Sequence, residues 1–171
     1  MRAANGRHSK PLRHAREEGA AAVEFGLVSI ILMMVLLGIL QYGIYFNDSL
    51  QTQQGVREAV RQGVVHSFTA CGGSTNDMDA LRCNTRAQMS LTSGTAYVKV
   101  VKPATYAKGQ PLKVCALVSS GGGVSLLPMP NGGWIKAQTS MSIEVDAPTV
   151  TGSTGADTLP AAATINWNWC T

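Results

Sequence analysis

The run from Phe25 to Phe46 limits what this chain can become more than any other stretch. Ser29 and Gln41 are its clearly polar members, and no charge follows until Asp48. As a helix it spans roughly 33 Å, about the thickness of a hydrocarbon core. A secretory signal peptide has a shorter apolar core, about 7–15 residues, followed by small residues at a cleavage site. Here Asn47-Asp48-Ser49-Leu50-Gln51 follows instead. The segment is therefore expected to stay attached as a single membrane span.

The flanks orient it. The segment up to Gly19 holds Arg2, Arg7, Lys10, Arg13 and Arg16 against Glu17 and Glu18. Basic residues ahead of a span mark the cytoplasmic side, so the carboxy-terminal part should face out. All four cysteines follow the span, which independently fits an oxidising exterior. Setting that segment aside takes 14 basic and 10 acidic residues to 9 and 8, a net charge of +1. The basic balance thus belongs to the leader, and no nucleic-acid partner is expected. Residues 1–18 lack apolar periodicity and read as a disordered leader in which His8 and His14 are solvated.

Between leader and span lies Gly19-Ala20-Ala21-Ala22-Val23-Glu24-Phe25. A carboxylate near a helix start is favoured by the macrodipole by about 0.3–1 kcal/mol, and it could also reach the headgroups. Inside a membrane segment, however, an ionisable residue is costly and by default points to function. The glycine five positions upstream, the small residues between and the aromatic just after make a pattern. It resembles the type III signal of type IV pilins and pseudopilins. More closely, it is similar to the Gly-Ala-x-x-Val-Glu-Phe start of TadE-like proteins of the tight-adherence (Flp) pilus system.

The resemblance implies that a membrane-embedded prepilin peptidase cuts after Gly19 and leaves Ala20 with a new α-amine. Glu24 becomes the fifth mature residue and Phe25 its aromatic neighbour. Ala20 departs from the Phe that ordinary type IVa pilins carry at the first mature position. Implied partners are the peptidase, other pilins and pseudopilins, a polytopic inner-membrane assembly platform, a cytoplasmic ATPase and membrane lipid. The implied location is the cytoplasmic membrane, with the outer domain outside and possible incorporation in a surface pilus. When such helices bundle, Glu24 can meet a neighbour's amine. Each charge alone is expensive in a low dielectric, so the pair sets register more than it adds stability. The resemblance is most specific over residues 19–46 and extends loosely from Gln53 to Val65.

The helix is expected to run on to Val65. Tyr42, Tyr45, Phe46, Leu50, Val56, Val60 and Val64 keep one apolar stripe, with Asp48, Gln51, Arg57, Glu58 and Arg61 on other faces. The competing reading is two helices broken near Asn47-Asp48-Ser49. Gly43, Gly55 and Gly63 weaken or bend the rod, each costing about 1 kcal/mol relative to Ala. Ala22 with Gly26, and Gly38, permit close helix approach without requiring it. Either way the outer half has an apolar face that a domain must cover.

Cys71-Gly72-Gly73-Ser74-Thr75 should end the helical part. Asp77 to Leu91 reads as a short helix with Met78, Leu81 and Met89 on its apolar side. The Asp77-x-Asp79 pair lacks further carboxylates at metal-loop spacing and is read as capping. Then the period becomes strand-like. Tyr97 to Val101 is one strand, stopped by Pro103. Leu112, Val114, Ala116 and Val118 mark a second, followed by a Gly121-Gly122-Gly123 turn. Trp134 to Val145 supplies a third, with Met141, Ile143 and Val145 on one face. Pro148 to Ala163 reads as a surface loop and Ile165 to Trp169 as a final strand. The expected fold is α+β and pilin-like: a long transmembrane helix leading into a small antiparallel sheet. Its parts are a leader (1–19), a span (20–46), an amphipathic extension (47–70) and an extracytoplasmic domain (71–171).

Four cysteines allow three pairings. Cys71 precedes the short helix and Cys83 lies within it, at a separation of 12. Cys115 is out of phase with Val114 and Ala116, and Cys170 with Trp167 and Trp169, so both thiols should leave the main apolar face and bridge adjacent strands. The favoured pairing is Cys71–Cys83 with Cys115–Cys170.

Catalytic signatures do not surface. There is no nucleophile elbow, Cys-x-x-Cys, phosphate loop or dinucleotide fingerprint, and no zinc-ligand spacing. His66 reads as a cap or surface residue. No enzyme, metal or cofactor is expected. Two other readings stay open. One is a signal-anchored binding module or adhesin, with Trp134, Trp167 and Trp169 on a ligand face. The other is an anchored enzyme without a recognisable motif.

Overall fold

The computed structural model describes residues 13–120, 127–146, 149–161 and 163–171, and side chains from residue 19 onward. The leader before Arg13 and the Gly121–Gly123 turn lie outside these residues. Among the described residues are two α-helices and four strands, with a short 3-10 turn at Pro130–Gly133: α1 (Arg13–Val64), α2 (Asp77–Gln88), β1 (Thr95–Val101), β2 (Pro111–Ser119), β3 (Trp134–Ser142) and β4 (Gly155–Ala156). The chain divides into a unit ending at Leu40 and a unit Gln41–Thr171, and α1 contributes to both.

The described residues of the first unit, 13–40, are helix, so residues 13–18 are helical rather than disordered. Ala15, Arg16, Glu17 and Glu18 are good helix formers, and propensity prevails where apolar periodicity is missing. Phe25 is 72% exposed, and apolar side chains stand exposed all round the segment, Ile31, Leu32, Met33 and Met34 among them. This is the one helix among the described residues that is long and apolar enough to cross a membrane. An all-round apolar helix needs lipid or protein around it.

The second unit is an α+β domain built on the outer half of α1. No break occurs at Asn47–Ser49. The helix ends in a Schellman motif: Ser67 N donates to Gln62 O (2.9 Å) and His66 N to Gly63 O (3.0 Å), with His66 left-handed at φ 57°. The end therefore lies at Val64, before the Gly72-Gly73 breakers. The strands form one antiparallel sheet in the order β3-β2-β1-β4. Val98 stands opposite Ala116, and Ala116 opposite Ala137. One face of that sheet (Val98, Val100, Leu112, Val114, Ala116, Val118, Ile135, Ala137) closes over Val56, Ala59, Val60 and Val64 of α1 and Met78 and Leu81 of α2. Each fully buried Val or Leu contributes roughly 1.5–3 kcal/mol relative to exposure.

The buried stripe of α1 differs from the expected one. Phe46 and Leu50 are exposed, while Asp48 and Thr52 are buried. Positions 45, 48, 52, 56, 59, 60, 63 and 64 follow the three–four spacing that faces the sheet, and 46 and 50 fall to its side. Gly55 and Gly63 serve close approach here. A Cβ on Gly55 would lie 2.7 Å from Met89 Cγ, and one on Gly63 would lie 2.3 Å from Leu112 Cδ2. The helix propensity lost there is offset by contact with the domain.

Three further expectations are corrected. Ile165–Trp169 is not a strand. The free edge of β1 is taken by β4, inside the stretch read as a loop, where Lys99 stands opposite Ala156. Asp157 fixes this edge. Its carboxylate accepts from Val98 N (2.8 Å) and lies 3.2 Å from Arg86 Nη1 and 4.0 Å from Arg82 Nη1. β3 stops at Ser142; Met141 within it and Val145 beyond it are exposed, and of that trio only Ile143, past the strand end, is buried.

Disulfides join Cys71 to Cys83 and Cys115 to Cys170, with Cα separations of 5.8 and 6.2 Å. The second ties β2 to the carboxy-terminal segment, not to an adjacent strand. That segment covers the second face of the sheet, which explains why Cys115 and Leu117 are as buried as their neighbours. Lys99 Nζ donates to Cys170 O (3.0 Å), Lys113 Nζ to Thr171 O, and Trp167 Nε1 to Asp157 O (3.2 Å). Trp167 and Trp169 stack at 6.3 Å, and Trp134 sits buried beside Tyr97 at 6.2 Å. These rings cover the sheet.

Candidate functional site

Residues Gly19, Ala20, Glu24 and Phe25 lie on the exposed surface of α1 in the first unit. A Cβ on Gly19 would meet nothing within 4 Å. Glycine at this place costs helix stability, about 1 kcal/mol relative to Ala, and gains no packing inside the chain. Its smallness is of use only to something outside. Glu24 is exposed and makes no hydrogen bond or ion pair with the described residues. Ser29 Oγ turns back onto Gly26 O (2.9 Å), the usual way a hydroxyl is satisfied within an apolar helix.

In the second unit a polar set that the sequence reading missed joins α1 to the domain. Asp48 is 0% exposed. Its carboxylate accepts from Thr92 N (2.7 Å), Ser93 N (3.2 Å) and Ser93 Oγ (3.2 Å), and its carbonyl accepts from Thr52 Oγ1 (2.6 Å). Asn47 Nδ2 donates to Thr92 Oγ1 nearby (2.9 Å). The signal was available: Asp48 lies one helical turn before Thr52 and two before Val56, in phase with the packed stripe. A buried carboxylate satisfied by backbone N–H groups orders the turn that leads into β1.

The Asp77-x-Asp79 pair divides its work. Asn76 is the N-cap of α2, its side chain accepting from Asp79 N (2.9 Å), while Asp79 accepts from Asn76 Nδ2 (2.6 Å). Asp77 instead holds the segment before β4, accepting from Thr151 N (2.7 Å) and Thr151 Oγ1 (2.9 Å). Partial desolvation works to raise the Asp79 carboxyl, but the Arg82 guanidinium and the Asn76 and Thr75 donors outweigh it and hold it below the usual carboxylate range. Among the described residues no cluster of His, Cys, Asp or Glu could hold a metal.

At the far end of α1, Tyr106 donates to Gly63 O and meets Phe68 and His66 edge-on, at 6.4 and 6.3 Å. His66 itself is exposed. Burial, with the Asp77 charge, pushes the Tyr106 hydroxyl up to about 12 from 10.0. A raised folded value contributes stability that is complete below pH 10 and is lost as pH rises through about 12. In an ultraviolet absorbance titration of phenolate, Tyr106→Phe should remove the last ionisation step and flatten the alkaline loss of stability.

Residues 19–61 match the model of the family described as TadE-like protein. No curated protein and no solved structure matches the chain.

Proposed function

We propose, from the match of residues 19–61 to the TadE-like family model, that the chain belongs to a Tad pilus-associated family and is a minor pseudopilin used in assembling a Flp-type pilus for surface adherence. In this reading a prepilin peptidase cuts between Gly19 and Ala20, and α1 anchors the product in the cytoplasmic membrane with the sheet domain outside. The single observation that carries it is the coincidence of the family match with Gly19, Glu24 and Phe25 on a helix able to span a bilayer. The unpacked Gly19 supports it further. A glycine with no packing role is where a helix opens most easily to a protease.

Glu24 then pairs with the new ammonium group of a neighbouring subunit. Partners are other pilins and pseudopilins, the assembly platform with its ATPase, and lipid. The large outer domain favours a minor role over that of a thin major pilin. The family's structural character fits a building part and not an enzyme.

Amino-terminal sequencing of the membrane-extracted protein tests the proposal. The product should begin at Ala20, and Gly19 replacement should leave the leader attached. An intact leader in the unaltered protein overturns the proposal and leaves a plainly anchored binding module. Glu24→Ala should still be cleaved but lose co-purification with partner pilins. Normal co-purification and piliation would remove the charge-pairing step.

A further inference from the structure

The loop between β2 and β3 is attached to α1 at an unexpected height. Gln41 Nε2 donates to Leu127 O (2.9 Å), and Leu127 N donates back to Gln41 Oε1 (3.3 Å). Tyr42 Oη donates to Pro128 O (2.9 Å). These anchors belong to the apolar run itself, ahead of its end. Ile44 is 42% exposed and Phe46 61% exposed, so apolar helix surface continues past the anchors by about 6 Å of rise. Whatever medium covers Phe46 also reaches down to Leu127 and Pro128.

The loop suits that medium. Leu127-Pro128-Met129-Pro130 is apolar, and no charged residue occurs anywhere from Val114 to Ile135. The Leu127 peptide, which could not be left bare in a low dielectric, is paired with the Gln41 amide in both directions. Asp48, the first charge after the span, is turned inward and satisfied by Thr92 and Ser93, so it does not hold this end of the domain in water. Tyr42 and Tyr45 stand where aromatic side chains gather at membrane–water boundaries.

We propose that Leu127–Pro130 is a membrane-contact loop that seats in the interfacial layer of the outer leaflet beside α1. The domain thus rests on lipid at the β2–β3 end of its sheet, while the β1–β2 turn, with Lys108, faces water. This rests on α1 crossing a bilayer and not on the pseudopilin role.

The test uses the full chain in vesicles of phosphatidylethanolamine and phosphatidylglycerol. Met129→Cys, Pro128→Cys, Phe46→Cys and Lys108→Cys are each labelled with an environment-sensitive fluorophore. Labels at 129 and 128 should shift to the blue and be quenched by lipids carrying a nitroxide high on the acyl chain. The label at 108 should do neither. Quenching at 46 with water-like emission at both 128 and 129 overturns the loop contact while the span stands. Loss of quenching at 46 as well places the fault in the span. Blue-shifted emission at 129 that grows with protein density, without lipid quenching, assigns the loop to a second copy of the chain and also overturns the proposal. Pro128 is exposed, so its variant stands in should Met129→Cys fail to fold.

Discussion

Serine at both Cys115 and Cys170 should lower the unfolding free energy of the outer domain by about 4 kcal/mol, the largest loss expected from any one covalent change. The bridge closes a sequence separation of 55, against 12 for Cys71–Cys83. In the chain-entropy account the shorter loop contributes about 3 kcal/mol. The longer bridge also fixes what covers the second sheet face. Without it, Lys99, Lys113 and Trp167 hold the last residues by single hydrogen bonds. Urea unfolding followed by tryptophan fluorescence measures the loss, and the emission of Trp167 and Trp169 should report solvent earlier than the rest unfolds. If the Cys71/Cys83 double serine variant is the less stable of the two, loop closure is the wrong account of the ranking.

Asp48→Ala is expected to cost about 2 kcal/mol, chiefly because it strands part-buried donors and empties a buried position. Removing the carboxylate leaves Thr92 N, Ser93 N and Ser93 Oγ without their acceptor beside a fully buried position. Asp48→Asn keeps one acceptor oxygen and should recover part of the loss. Hydrogen exchange at the Thr92 and Ser93 amides gives a local readout that global stability does not. Fast exchange there in Asp48→Ala, with α2 amides unchanged, is the expected pattern. Unaltered protection of both amides would mean that another group orders this turn.

Much of the architecture could be read from patterns with one physical cause. Alternation through Leu112, Val114, Ala116 and Val118 reflects one buried sheet face, and β2 lies there. The apolar run followed by polar helix-forming residues specifies a membrane-length helix with a packed outer half, and the core shows that half under the sheet. Where two causes overlap, the pattern misleads. Trp167 and Trp169 alternate because they cover a sheet, not because they belong to one. Gly155 and Ala156 form a strand with almost no side-chain signal, because Asp157 and the free edge of β1 place them.

Polar residues were hardest. Asp48 and Gln41 look solvent-directed until their partners, Thr92 and Ser93 for one and Leu127 for the other, are known from far along the chain. The amino-terminal set differs again. Gly19, Glu24 and Phe25 stand out through their resemblance to the TadE-like start, and on the exposed surface of α1 no packing within the described residues accounts for them.

The clasp between the outer half of α1 and the sheet has a mechanical consequence. Asp48 holds one end of the interface and Gly63, with Tyr106 on its carbonyl, holds the other, about 22 Å of helix rise apart. Tension drawn along the helix axis is therefore shared across the entire clasp at once, in shear, and cannot peel it turn by turn. A pull on this stretch of helix moves the sheet with it as a single rigid cargo.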